Sequence, residues 1–166
     1  DDVKVFDECV DAITSQVEGL KLLVDEFSNF ARLPTANPQA GDLNRIIAEA
    51  VASYDGTERV AFDADLDPHL PTIDIDREQI RRALTNLIDN AVKYAGDKPL
   101  VQITARRLGE GHGIIRISDN GKGIPSALRR KIFGRFVRVG EELERETPGL
   151  GLGLYIVRTM VRRLQG

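Results

Sequence analysis

Apolar positions near the start of the chain recur at alternating steps of four and three: Phe6, Val10, Ile13, Val17, Leu20, Val24, Phe27 and Ala31. That spacing predicts a long helix carrying a bundle or coiled-coil seam within residues 1–34. A core helix of a globular domain is the plainer alternative. Pro34 and Pro38 cannot continue a helix, so T-A-N-P-Q-A-G, residues 35–41, reads as a linker. No second long helix follows to cover the seam, which therefore predicts a homodimer through residues 6–31, or cover from another part of the parent protein.

After residue 41 the period changes, and residues 42–166 read as one α/β domain. Asp42 is placed to cap a helix whose apolar face is Leu43, Ile46, Ile47, Ala50 and Val51. R-V-A-F-D-A-D-L alternates as a strand. Asp76 caps a second helix, with Gln79 completing a capping box, and this helix runs to about Ala95. P-L-V-Q-I-T-A-R-R-L and G-I-I-R-I-S-D alternate and are joined by the turn G-E-G-H-G, which predicts a hairpin. A short helix over 126–133 and a last helix from about Leu152 complete the elements.

Charge and composition then exclude some functions. The 26 acidic side chains outnumber the 23 basic ones, which argues against nucleic acid, since such binders gather a basic excess on one face. No apolar run reaches the roughly 20 residues of a membrane span, so no membrane contact and a cytoplasmic setting are expected. The single cysteine, Cys9, fits a reducing compartment.

Three places carry candidate chemistry. In N-L-I-D-N-A-V-K-Y, residues 86–94, two asparagines sit mid-helix, where they cost stability unless they serve a purpose. On a helical wheel Ile80, Leu84, Leu87, Ile88 and Ala91 face a sheet, whereas Asn86, Asn90 and Lys93 share a polar row spanning roughly 60°. Amide oxygens can ligate a hard cation and a lysine can neutralise phosphate, although a solvated helix face would look the same. In I-S-D-N-G-K-G-I-P, alternation puts Asp119 on the buried side with Ile115 and Ile117, where a carboxylate needs a partner such as an adenine amino group. A capping aspartate in a simple turn is the alternative. In T-P-G-L-G-L-G-L-Y-I-V, alternating glycines run into a helix, where freed N–H groups can cradle phosphate or merely form a flexible loop.

Taken in order, the asparagine-bearing helix, D-x-G-x-G after a hairpin, the paired phenylalanines of F-G-R-F and G-x-G-x-G entering a helix resemble the N, G1, F and G2 boxes of sensor histidine kinases. These belong to the wider gyrase, Hsp90, histidine kinase and MutL group, and the resemblance covers the chain from about Asp42 onward. Residues 1–34 resemble the second helix of a kinase dimerisation hairpin, and D-E-F-S-N-F-A-R-L-P is similar to the nitrogen-regulation type. The implied fold is α+β, a two-layer α/β sandwich of the Bergerat type, preceded by the long helix.

The resemblance also implies ATP and Mg²⁺ as cofactors and assigns roles. Asn90 would hold Mg²⁺, Asn86 and Lys93 would face the triphosphate, and Tyr94 would lie against the nucleoside. Asp119 would take the adenine amino group beside Gly121, Gly123 and Ile124. Phe133 and Phe136 are the F-box rings, and Arg138 would reach the γ-phosphate. Gly149, Leu150, Gly151, Leu152 and Gly153 would form the cradle, with residues 137–148 as a mobile lid. Related ATPases place a water-activating glutamate where Asn86 stands. An amide is no base, so ATP should be held for transfer to a histidine on a partner helix, and a response regulator would follow.

The chain departs from that pattern in three ways. It has no histidine-acid acceptor motif, since His69 lies in D-P-H-L-P and His112 in the hairpin turn, so no self-phosphorylation is expected. Leu150 stands where the family commonly has Thr or Ser. The family's further C-terminal hairpin is missing, which would leave a sheet edge unpaired. An ATP-binding, dimerising scaffold without phosphotransfer and a Ser/Thr kinase of the anti-sigma-factor type are the alternatives.

Overall fold

The computed structural model describes residues 2–31, 35–56, 60–109, 112–138 and 150–163. Helix α1, Asp2–Ala31, is the long helix the seam predicted. Val5, Phe6, Val10, Ile13, Val17, Leu20, Val24 and Phe27 are each between 42% and 67% exposed. These seam residues are therefore uncovered along the helix, and no other helix among the described residues approaches its length.

Strand β1, Gln39–Gly41, lies inside the segment read as a linker and pairs antiparallel with β3, Ile73–Ile75. Three residues following a proline carry too little alternation to announce a strand; only the partner makes it one. The close fit is visible at Gly41, where a Cβ would fall 2.8 Å from Ile75 Cγ1.

Asp42 caps α2, Leu43–Ala52, by accepting from Arg45 N. Strand β2, Ala61–Leu66, pairs in parallel with β4, Leu100–Arg107, which pairs antiparallel with β5, Gly113–Asp119. The crossover between β2 and β4 contains α3, Arg77–Tyr94. At its start Asp76 accepts from Gln79 N at 2.9 Å and from the Gln79 side-chain amide at 3.1 Å. The glutamine thus closes the cap through the carboxylate and not, as a capping box has it, by reaching the cap's own N–H.

α3 is the centre of the domain. Leu84, Ile88 and Ala91 join Leu43, Ile46, Ile47 and Ala50 of α2 and Val101, Ile103 and Ala105 of β4 in the main core. Ala83 on the adjoining side packs with Leu152, Ile156, Val157 and Met160, the last three on helix α4, Gly153–Arg163. Leu87, expected on the sheet side, belongs to this second cluster. Its wheel position is intermediate between the two faces, and the position of α4 decides which one receives it.

The helix expected over 126–133 is absent as such. Leu128 N bonds Pro125 O, Lys131 N bonds Leu128 O and Gly134 N bonds Lys131 O, so the segment is a run of tight turns ending in a 3₁₀ turn at Lys131–Phe133. Ile132 is its one buried apolar residue, too few anchors to hold a regular helix against the body.

Candidate nucleotide site

The polar row on α3 is brought against the glycine loop that opens α4. Asn86 Nδ2 donates back to the Arg82 carbonyl at 3.0 Å. A Cβ built on Gly153 would lie 3.1 Å from Asn86 Oδ1 and 3.9 Å from Asn90 Nδ2. Both mid-helix amides therefore border the N-terminal end of another helix, in a space that any side chain at residue 153 would fill. That arrangement answers why asparagine is tolerated here: its amides line a space and do not merely face solvent.

The other end of α3 meets the aspartate-glycine loop. A Cβ on Gly121 would fall 2.5 Å from Tyr94 O and 2.7 Å from Asp119 Oδ1. Asp119 itself corrects an expectation: it lies on the half-buried parity of β5, yet it is exposed, and Oδ1 accepts from Gly121 N at 2.9 Å. It sits at the last position of the strand, opposite Val101, where the sheet ends and the core no longer covers it. Gly123 has φ +70 and the following Ile124 is partly exposed. Lys93 and Tyr94 are exposed on the last turn of α3.

The cradle residues divide by side chain and backbone. Leu152 is buried, and Leu150 packs against its cluster, so these two can face a phosphate only through their backbone. Gly151, at φ +69, comes so close to the end of the F box that a Cβ would fall 2.6 Å from Val137 O. Phe133 is half-buried and Phe136 is 60% exposed. Arg138 is half-buried. Gly149 and residues 139–148 of the expected lid lie outside the described residues.

The donor set fits Mg²⁺ bound with a nucleotide. Among the described residues no group of three or more His, Cys, Asp or Glu could hold a metal alone. Mg²⁺ takes few protein ligands when substrate phosphates supply the others, which a single side-chain amide allows.

A family model described as histidine kinase-, DNA gyrase B-, and HSP90-like ATPase matches residues 75–166. The chain belongs to that family. The nitrogen regulation protein NtrY of Azorhizobium caulinodans is 35% identical over 94% of this chain, and the match spans 20% of NtrY. ShkA, solved at full length in complex with AMPPNP, superposes with a TM-score of 0.76 at 27% identity, over 95% of this chain and 34% of that one. The mycobacterial sensor histidine kinase MprB gives 0.65 at 27% identity, over 76% of this chain and 80% of its own. The chain thus covers only a small part of the curated relative, while the helix-and-sheet architecture is that of the histidine kinase-like ATPase domain.

Around this candidate site, three further residues make side-chain hydrogen bonds that sequence reasoning missed. Asn120 accepts from Leu100 N at 2.9 Å and donates to Lys98 O at 3.0 Å, tying the aspartate-glycine loop to the turn after α3. Tyr54 donates to Asp89 Oδ1 at 2.5 Å, beside Asn90, and burial first and the carboxylate second push its phenol up. Arg135 donates to the Tyr155 hydroxyl at 2.8 Å. Of these, only the Asn in D-N-G carried a local signal, as a turn former. The others join residues 20 or more positions apart, which no local pattern reports.

His69 is exposed in a turn, with its N–H on Asp67 Oδ1 at 2.9 Å, and His112 is exposed where Leu108 N bonds its carbonyl. Neither lies on a helix. No helix among the described residues is long and apolar enough to cross a membrane.

Proposed function

We propose that this chain binds Mg-ATP and passes the γ-phosphoryl group to a histidine presented by a separate dimerisation helix, as the catalytic part of a two-component sensor kinase acting in the cytoplasm. The observation that carries the reading is the approach of Asn86 and Asn90 to the glycine at the start of α4. In this reading Asn90 holds Mg²⁺, which neutralises phosphate charge when bound. Lys93 and Arg138 offset the remaining charge, and the N–H groups before α4 receive phosphate oxygens. The imidazole nitrogen forms a bond to the γ-phosphorus as the bond from that phosphorus to the bridging oxygen breaks, and ADP departs with the electron pair. Asn86 cannot take a proton from water, so hydrolysis stays slow while the acceptor docks.

The exposed seam of α1 supports a homodimer, and an aspartate-bearing response regulator would be the next acceptor. Calorimetry tests the site: Asn90→Ala should weaken ATP far more than adenosine, while Asp119→Ala should weaken both. Labelled ATP with a separately supplied histidine-bearing hairpin tests transfer, and acid-labile label on that hairpin is expected. Tight ATP binding with no label on any such hairpin would leave the chain an ATP-binding scaffold.

A further inference from the structure

The F-box segment ends in Arg138, and how it is held bears on what that arginine can reach. Phe136 has φ +59, the one positive value at a non-glycine residue among the described residues. The left-handed region costs a residue with a Cβ roughly 1–2 kcal/mol, and the Phe136 ring is 60% exposed. Burial of the ring therefore does not account for the conformation. Its neighbours do.

On the N-terminal side of Phe136, Arg135 is attached to α4 twice over. Its Nη2 donates to the Tyr155 hydroxyl at 2.8 Å, and its guanidinium carbon lies 4.9 Å from the centre of the same ring. Arg158 reaches that ring at 5.8 Å, but the hydrogen bond distinguishes Arg135. On the C-terminal side the Val137 backbone lies against Gly151, where a Cβ would fall 2.6 Å from the carbonyl oxygen and 3.0 Å from both N and C. One anchor precedes the strained residue and one follows it, both on the segment that opens α4. Arg138 comes next in the chain.

We infer that Arg135 and Tyr155 form a clasp that positions Arg138 toward the phosphate cradle, so that Arg135 serves the site without touching nucleotide. The clasp holds the chain through a left-handed turn it would otherwise leave, and that turn sets where the Arg138 backbone emerges beside Gly151. This inference rests on the reading that Arg138 meets the γ-phosphoryl group. Tyr155 is thereby a positioning residue as well, through its hydroxyl and not only through its ring.

The test is the ratio of ATP to ADP affinity for the full chain with Mg²⁺, read by calorimetry, because only ATP carries the γ-phosphoryl group. Arg138→Ala should lower that ratio. Arg135→Ala and Tyr155→Phe should each lower it roughly two- to thirtyfold, the usual range for residues acting through a neighbour. ADP affinity and the denaturation midpoint should stay unchanged, which a merely structural role would not allow. In an Arg138→Ala background neither substitution should have a further effect. If Arg138→Ala lowers the ratio but the clasp variants do not, or if their effects persist in that background, the clasp is overturned while the reading of Arg138 stands. If Arg138→Ala leaves the ratio unchanged, the reading of Arg138 fails and the clasp with it.

Discussion

α1 and α3 are both long amphipathic helices, and their sequences announce them equally well, but they differ in what their apolar faces meet. In α3 Leu84, Ile88 and Ala91 enter a core shared with α2 and the sheet, and Ala83 enters a second one with α4. In α1 Phe6, Ile13, Val17 and Leu20 are each at least 59% exposed. Periodicity states that a face needs cover; it does not state what provides it. The difference also appears in their glycines. A Cβ at Gly19 of α1 would meet nothing within 4 Å, whereas Cβ atoms at Gly121, Gly151 and Gly153 would meet backbone or site amides within about 3 Å.

The sharpest way to break this contrast is to charge the exposed face of α1. Val17→Asp with Leu20→Asp removes two side chains, each worth roughly 1.5–3 kcal/mol when buried. Sedimentation should show association lost by a hundredfold or more while ATP affinity is kept. A wild-type chain that sediments as a monomer at all accessible concentrations would remove dimerisation through α1.

Core truncation comes next. Ile88→Ala empties a fully buried position and should lower stability by about 2–5 kcal/mol in denaturant titrations. Ile13→Ala, at 63% exposure, should leave the unfolding of the α/β domain within about 0.5 kcal/mol. Equal losses would mean that the α1 face is covered within one chain.

The cap of α3 separates the two helices by pH. Burial alone would raise the Asp76 carboxyl, but the N–H of Asn37, the Gln79 N–H and amide, and the Glu78 N–H outweigh it, so the group stays ionised below the ordinary carboxylate range. Because the folded value lies below the unfolded one, its stabilisation is complete above the unfolded pKa and is lost as pH falls through the folded pKa. Asp76→Ala should cost roughly 1–2 kcal/mol at neutral pH, and less as the solution is acidified. A pH-independent cost would exclude this account.

The glycines give effects of opposite sign in the two regions. Gly19→Ala should stabilise α1 by roughly 0.5–1 kcal/mol. Gly121→Ala should destabilise by about 1–3 kcal/mol, since the Tyr94 carbonyl, 2.5 Å away, must shift. Circular dichroism melts distinguish the two signs.

The two regions also differ in how legible they were. Residues with a strong period, such as those of α1, α2, α3 and the β4–β5 hairpin, were readable because amphipathic spacing is local. β1 was not, because three residues become a strand only through Ile73–Ile75. The turns over 126–130 failed as a helix because too few apolar residues fall on one face. At the site, the asparagines, Asp119 and the glycines could be named from their order in the chain. Their meeting could not be read there: Gly153 faces Asn86 because α4 packs on α3, and Gly121 faces the Tyr94 carbonyl because the loop after β5 reaches the end of α3.

What this sequence determined alone was therefore a set of local statements: which segments are helical, which alternate, where a helix cap belongs, and which residue types could handle phosphate. Those follow from backbone sterics and short-range spacing, which act within a turn or two of the chain. The tertiary structure decided the exposure of Asp119, the assignment of Leu87 to α4, the union of β1 with β3 and the hold of Tyr155 on Arg135. Each depends on packing between segments distant in sequence, and the free energy of such a contact is set by the partner's position, which no local period encodes.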